Sequence, residues 1–200
     1  ASDQLADETL RDAVEGLLRI RDIVADLRSL AQKDAREPEP VRLAKVVETS
    51  AALALPTIRL RASLELSLDQ VSMVLGHPGK LSQVIINLIV NAAEAMPEPL
   101  EASGSSRPGR IEIRTLSLPN EIALEVHDNG RGIAAAQLGE IFRPLHTTKR
   151  SGTGLGLTIC RRIVEEHHGR IEVESIVGEA LPFRVVLPEL EAPDAIGPRH

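Results

Sequence analysis

The stretch from Lys80 to Met96, KLSQVIINLIVNAAEAM, constrains this chain more than any other. Leucine, isoleucine, valine and alanine dominate it and neither glycine nor proline interrupts it, so it reads as a buried helix. Its polar residues are not scattered. Lys80, Gln83, Asn87, Asn91 and Glu94 follow at steps of three or four, which puts them in one stripe on a helix otherwise flanked by Val84, Ile85, Ile86, Leu88, Ile89 and Val90. A buried amide without a partner costs roughly 1–3 kcal/mol. The two asparagines one turn apart therefore line a cleft that holds something polar, bond inside the protein, or face solvent.

The core such a helix needs is available, because 42% of the 200 residues are hydrophobic. That length suits one generous domain, or a domain with an extension. No apolar run approaches the ~20 residues of a membrane span, and the acidic N-terminus lacks a signal peptide's basic start and apolar centre. A soluble, cytoplasmic chain is expected. Cys160 is the only cysteine, which excludes an internal disulfide and agrees with a reducing compartment. A net charge of −6 without a dominant basic tract argues against nucleic-acid binding. The only aromatic side chains of the Phe, Tyr and Trp type are Phe142 and Phe183, which leaves little on which bases could stack.

Along the chain, residues 3–33 read as a long helix. Leu10, Ala13, Leu17, Ile20, Val24, Leu27 and Ala31 alternate steps of three and four, so an apolar face asks for a partner helix from another chain or another segment. Residues 34–40, with two prolines, read as a linker. A helix is expected over 43–55, closed around Pro56, then strands over 63–68 and 71–75 and a turn at Gly76-His77-Pro78-Gly79 that launches the central helix. Residues 97–109 read as a polar surface loop. A hairpin is expected from strands 110–116 and 121–127 about Pro119-Asn120, then a short helix over 134–141 and a loop over 143–152. A helix over 154–168, ended by Gly169, leads to a closing hairpin of 170–176 with 183–187. The last residues, 190–200, read as a disordered tail.

Chemistry concentrates where strands stop. Asp128-Asn129-Gly130-Arg131-Gly132 follows the strand ALEVH, so one carboxylate sits at a strand end, with glycines that let backbone approach a flat ligand. The same residues are also an ordinary turn signal. Gly152-Thr153-Gly154-Leu155-Gly156-Leu157 opens a helix, where free N–H groups and the helix dipole suit an anion. It is neither a dinucleotide fingerprint, since no strand precedes it, nor a P-loop, since no Gly-Lys-Ser/Thr ends it. Between them, Phe142-Arg143-Pro144-Leu145-His146-Thr147-Thr148-Lys149-Arg150 carries bases and hydroxyls that suit a lid over phosphates or a solvated loop.

Taken in this order, the four stretches resemble the catalytic, ATP-binding domain of sensor histidine kinases. Asn87-Leu-Ile-Val-Asn91 looks like the N box, Asp128 to Gly132 like the first glycine box, Phe142 to Lys149 like the F box, and Gly152 to Leu157 like the second glycine box. The resemblance implies a two-layer α/β sandwich, a mixed sheet covered on one face by three helices, of the kind shared with gyrase, chaperone and mismatch-repair ATPases. It is similar in detail to kinases of the nitrogen-regulation type. Residues 1–36 then look like the second helix of a dimerisation and phosphotransfer hairpin, and 37–189 like the catalytic domain. The implied partners are a response-regulator receiver domain, a phosphoacceptor helix outside this chain, and a second copy in a homodimer. The chain would be cytoplasmic, alone or as part of a membrane-bound sensor.

Carried over residue by residue, the resemblance implies that Asn91 and Asn87 hold Mg²⁺ and that Asp128 recognises the adenine amine. Gly130 and Gly132 would let backbone approach the base, and Gly152, Thr153, Gly154, Leu155 and Gly156 would surround the phosphates. Thr148 and Lys149 would reach ATP from a lid over 143–152 that the γ-phosphate orders, with Lys149 on that phosphate and, beside Asn87 and Asn91, catalytic. Several positions depart from the family pattern. Leu145-His146 stands where two phenylalanines are usual, Gly178-Glu-Ala-Leu-Pro-Phe183 lacks a usual threonine, and His168 stands where glycine is usual. None of the six histidines lies on the N-terminal helix, so the phosphoacceptor is expected elsewhere. Two alternatives stay open: an ATPase or serine kinase of the same fold, and a non-catalytic phosphotransfer or scaffold protein.

Overall fold

The computed structural model describes residues 37–71, 73–96, 109–147, 152–173 and 181–190, and thirteen positions between 10 and 28. From Glu39 the chain runs β1 (Glu39–Arg42), α1 (Leu43–Ile58), β2 (Ala62–Leu68), β3 (Met73–Gly76), α2 (Pro78–Ala95), β4 (Gly109–Leu118), β5 (Glu121–Asp128), a single turn α3 (Ala135–Leu138), α4 (Gly156–Glu166), β6 (Arg170–Val173) and β7 (Leu181–Pro188). Five strands form one mixed sheet in the order β2-β4-β5-β7-β6. Only β2 and β4 run parallel. β1 and β3 pair separately as an antiparallel ribbon.

Alternation along the strands decides which face of the sheet the helices cover. Ile111 and Ile113 of β4, Ile122, Leu124 and Val126 of β5, and Phe183, Val185 and Leu187 of β7 are buried together with the apolar sides of α1, α2 and α4. Between them Glu112, Glu125 and Arg184 carry charge, while Ala123 and Val186 are apolar and buried. On the outer face Glu125 is buried yet accepts from Arg184 Nε at 2.7 Å and lies 2.9 Å from His127 Nε2. Burial pushes its pKa up, but these partners outweigh burial and hold it below the usual carboxylate range. The Arg114 guanidinium likewise pushes Glu112 down to about 2. This face needs no second layer.

α2 is the middle of the helical layer, packed against α1 on one side and α4 on the other and over β4 and β5. Pro78 opens it at a position where a missing N–H costs nothing, so the helix starts two residues before the expected Lys80. Leu81, Val84, Ile85, Leu88, Ile89, Ala92 and Ala93 are its buried residues. Ser50 Oγ donates to Ser82 Oγ at 2.8 Å across the contact with α1. Cys160 Sγ, buried on α4, reaches the Val84 carbonyl at 3.8 Å.

Several expected boundaries move for physical reasons. β1 begins inside the expected linker, with Pro40 tolerated because β1 pairs on one side only. α1 runs through Pro56 to Ile58, whose complete burial holds the last turn in place. The strand expected over 71–75 is Met73–Gly76 and pairs with β1. The helix expected over 134–141 shrinks to one turn followed by turns. The helices and five-stranded sheet are otherwise the expected α/β arrangement, and Asn120 takes φ 59° in the turn between β4 and β5. The described residues between 10 and 28 are helical and leave Leu10, Val14, Leu17, Ile20, Val24 and Leu27 exposed. The rest of 1–36, residues 97–108 and the tail 191–200 lie outside the described residues.

The end of α4 corrects another expectation. The left-handed residue is His168, at φ 58°, not Gly169. His168 N donates to the Glu165 carbonyl at 3.0 Å and Gly169 N to the Val164 carbonyl at 2.9 Å. This is the paired termination that usually places glycine at the left-handed position. A Cβ there is costly, so His168→Gly is expected to stabilise the protein by about 1 kcal/mol. A urea titration of the variant showing an unchanged or lower midpoint would count against this account of the helix end.

Candidate functional site

The second half of α2, the end of β5, the turn at α3 and the start of α4 enclose a cavity of about 410 Å³. Its position is set by the sheet. Asp128 is the last residue of β5 and is paired on both sides, with Ile111 of β4 and Leu181 of β7. Beyond it the chain turns sharply. Gly130 N donates to Asp128 Oδ1 at 2.9 Å, and Arg131 N donates to the Ala95 carbonyl at the end of α2 at 3.1 Å. A Cβ on Gly130 would lie 2.7 Å from that carbonyl, so only glycine lets the turn approach α2 this closely. Asn129 Oδ1 accepts from Arg110 N at 2.7 Å and fastens the turn to β4.

The opposite wall is the start of α4. Gly154 has φ +70°, and a Cβ there would lie 2.5 Å from the Leu145 carbonyl carbon, so both dihedral and space call for glycine. That conformation cannot be helical, which is why α4 begins at Gly156 and not at the expected Gly154. Thr153 Oγ1 accepts from Leu155 N at 3.2 Å. Asn87 Nδ2 donates to the Gly156 carbonyl at 3.4 Å and ties α2 to the first residue of α4. The preceding segment is pinned at Phe142, whose carbonyl accepts from Thr158 Oγ1 at 3.1 Å and whose ring lies 5.9 Å from the Arg161 guanidinium carbon. The helix start, with its unpaired N–H groups and positive dipole end, forms an anion-favouring wall.

Most of the residues singled out in the sequence meet here. Asn87, Asn91, Asp128, Gly132, Gly152, Thr153, Gly154 and Gly156 line the one cavity. Two do not. Gly130 lies behind Asp128 against α2, and Leu155 is only 2% exposed and belongs to the core. Thr148 and Lys149 lie outside the described residues, as does Gly178 to Leu181 of the departure noted above, the backbone pairing of Leu181 excepted. Of the stripe on α2, Glu94 joins the asparagines in the wall, whereas Lys80 and Gln83 lie away from it. Arg131, Ile133, Gln137, Ile141 and Leu157 also line it, as do Val90, Ala95, His146, Thr147 and Phe183. Only position in three dimensions reveals Gln137 and Ile141, because one helical turn gives no readable period.

Among the described residues no three His, Cys, Asp or Glu side chains converge to hold a metal. Mg²⁺ does not require such a set, since it is often held by one or two protein oxygens, waters and substrate phosphates. Amide oxygens on Asn87 and Asn91, facing a glycine wall built for anions, fit that mode.

Residues 76–191 match the family described as histidine kinase-, DNA gyrase B-, and HSP90-like ATPase. The chain belongs to this family. Asn87 to Leu157, which holds all four motifs, lies inside the matched region. Sensor protein FixL of Bradyrhizobium diazoefficiens is 33% identical over 187 residues, covering 91% of this chain and 35% of FixL. The C4-dicarboxylate transport sensor protein DctB of Rhizobium meliloti is 38% identical over 173 residues, covering 85% of this chain and 27% of DctB. The chain thus spans a minor part of the length of these curated relatives. Among solved structures, the catalytic domain of histidine kinase ThkA aligns with a TM-score of 0.66 and 29% identity over 77% of this chain and 97% of that one. ThkA in complex with response regulator protein TrrA aligns with a TM-score of 0.68 and 26% identity over 88% of this chain and 49% of that one. This ATPase domain therefore shares the fold of histidine-kinase catalytic domains, and the mixed sheet under three helices is the arrangement the resemblance implied.

Proposed function

We propose that this chain is the ATP-binding catalytic module of a sensor histidine kinase, and that it transfers the γ-phosphate of ATP to a histidine outside residues 1–200. The observation that carries this reading is the convergence of Asp128, the Asn87–Asn91 stripe and the glycine-rich start of α4 on one cavity. Asp128 accepts from the exocyclic amine of adenine, Gly132 lies beside the base, and Gly152 to Gly156 receive the phosphates. Asn91 and Asn87 hold Mg²⁺, which, when bound, neutralises charge between the phosphates. Thr148 and Lys149 follow the described part of the lid segment, with Lys149 on the γ-phosphate. The apolar helical face at Leu10 to Leu27 pairs in a homodimer, with residues 1–36 as the second helix of the phosphoacceptor hairpin. The phosphoryl group then passes to the aspartate of a response regulator, a partner supported by the ThkA complex with TrrA. Residues 37–189 form the catalytic domain, of nitrogen-regulation type on the strength of Asn91-Ala-x-x-Ala and Thr147-Thr148-Lys149. The setting is cytoplasmic. Among the described residues no helix is long and apolar enough to cross a membrane.

Three outcomes follow. Asp128→Asn and Asn91→Ala are each expected to weaken Mg-ATP binding at least about tenfold, about 1.4 kcal/mol. Calorimetric affinities equal to the parent chain's in both variants would remove the assignment of the pocket.

Hydrolysis is expected to be slow. Asn87 stands one turn before Asn91, and an amide there cannot take a proton from water at neutral pH as a carboxylate can. A steady-state turnover of ~1 s⁻¹ or faster would favour the ATPase reading over the kinase one.

The chain is also expected to bind ATP without labelling itself. His167 and His168 follow Glu165-Glu166, but they end a helix of 11 residues, roughly 16 Å from its phosphate-binding start at ~1.5 Å per residue. A rigid helix cannot fold back onto its own start. Incubation with γ-labelled ATP should leave no acid-labile label, and a fragment carrying an acceptor helix should become labelled when added. Stoichiometric acid-labile label mapped to any of the six histidines of the chain alone would refute this account.

A further inference from the structure

We infer that His146 is a phosphate contact of this site, so that binding of Mg-ATP draws a proton onto its imidazole. The inference rests on the nucleotide reading of the cavity and adds to it a residue at which this chain departs from the F box pattern. His146 lines the cavity beside Thr147, Gly152 and Gly154, on the wall formed by the start of α4. Its backbone is fixed there. The amide donates to the Arg143 carbonyl at 3.2 Å, the residue before it is held at φ 63°, and the space where Gly154 would carry a Cβ lies 2.8 Å from the His146 nitrogen. The imidazole is thereby carried on the same short stretch of backbone that packs against the anion-binding loop. Its side chain is 30% exposed, in contrast to an unrestrained surface histidine.

One carboxylate faces the imidazole without a hydrogen bond to it. Glu140 Oε2 stands 3.9 Å from Nδ1, within ion-pair but beyond hydrogen-bond distance, and Glu140 Oε1 is engaged by Arg143 Nη1 at 2.6 Å. Across the cavity the charged residues are Glu94 from α2, Asp128 from β5 and Arg131 from the turn that follows it. Among the described residues this is two carboxylates against one guanidinium, so the triphosphate charge falls to the Mg²⁺ and Lys149 proposed above and to any further cation on this wall. A protonated His146 on the α4 wall adds a positive charge and an N–H donor where the phosphates lie, and an anion within about 4–6 Å favours the charged imidazole in return. Of the side-chain types facing this point, imidazole alone ordinarily changes charge between pH 6 and 8. Affinity for Mg-ATP and uptake of a proton are therefore linked, and affinity rises as pH falls across that interval.

The test is calorimetric titration of Mg-ATP into the 200-residue chain at pH 7, in buffers of different ionisation enthalpy. The parent chain should take up a fraction of a proton on binding and His146→Gln should take up none. Between pH 6 and 8 the parent affinity should fall by about tenfold, whereas that of His146→Gln should stay level. Because the variant could shift the loop, a second measurement uses the parent chain alone: the NMR titration of the His146 imidazole should move to higher pH when Mg-ATP is bound. Equal proton uptake by both proteins, or an imidazole titration unmoved by bound Mg-ATP, would overturn the role of His146 and leave the nucleotide site standing. Failure of the parent chain to bind Mg-ATP in any buffer would instead overturn the nucleotide reading, and this inference with it.

Discussion

The structure depends on one helix meeting two demands at once. α2 buries Leu81, Val84, Ile85, Leu88, Ile89, Ala92 and Ala93 between α1, α4 and the sheet, and it carries Asn87, Asn91 and Glu94 along the edge of a cavity. Each fully buried aliphatic side chain stabilises by roughly 1.5–3 kcal/mol, comparable to the 1–3 kcal/mol at stake in an unsatisfied buried amide. The helix can therefore hold half-buried asparagines only because its apolar side is well covered. That side also fixes the rotation of the helix, since a turn about its axis would send the asparagines into the core and the isoleucines into the cavity. Packing decides where the polar stripe points.

The sheet supplies the other fixed coordinate. β5 is its central strand, bonded to β4 and β7 along its whole length, and Asp128 ends it. A carboxylate on a loop tip would sample many positions, whereas this one is held by ladders on both sides and by the turn through Gly130 to Ala95. The charged outer face contributes to that order. Glu125, two strand positions behind His127 and three before Asp128, is nearly buried among Arg184 and His127, so the strand is held from the solvent side as well as from the core.

The α2 stripe and the Asp128 turn could be read from the sequence because each follows a local rule: a helical period for one, a strand followed by glycines for the other. What could not be read depends on contacts remote in sequence. Ile58 extends α1 past Pro56 because a pocket in the core waits for it. Leu155 lies inside a phosphate-like motif yet turns inward, because the residue that caps α4 must also close the core above Ile159. His168 takes a left-handed conformation that its residue type does not announce. Gln137 reaches the cavity from a single turn too short to leave a pattern.

α4 serves the proposed phosphate site only if its start keeps its place beside α2, and two contacts far apart along the helix provide this. At the cavity, Asn87 holds the Gly156 carbonyl. At the far end, His167 donates from Nδ1 to the Ile163 carbonyl at 2.7 Å and accepts at Nε2 from His77 N, the residue that caps α2, at 3.0 Å. This arrangement requires a neutral ring. Burial pushes the pKa of His167 down and so keeps the acceptor nitrogen unprotonated. Gly76 leaves room for that ring, since a Cβ there would overlap its Cδ2. The two helices are thus joined near both ends of α4, which ties the amide stripe to the helix start across the cavity. The segment from Gly139 to Thr147 is joined to α4 through Phe142 and through the backbone of Leu145 and His146 against Gly154. Because the second joint uses backbone, the side chains of Leu145 and His146 can differ from the family pattern without disturbing it.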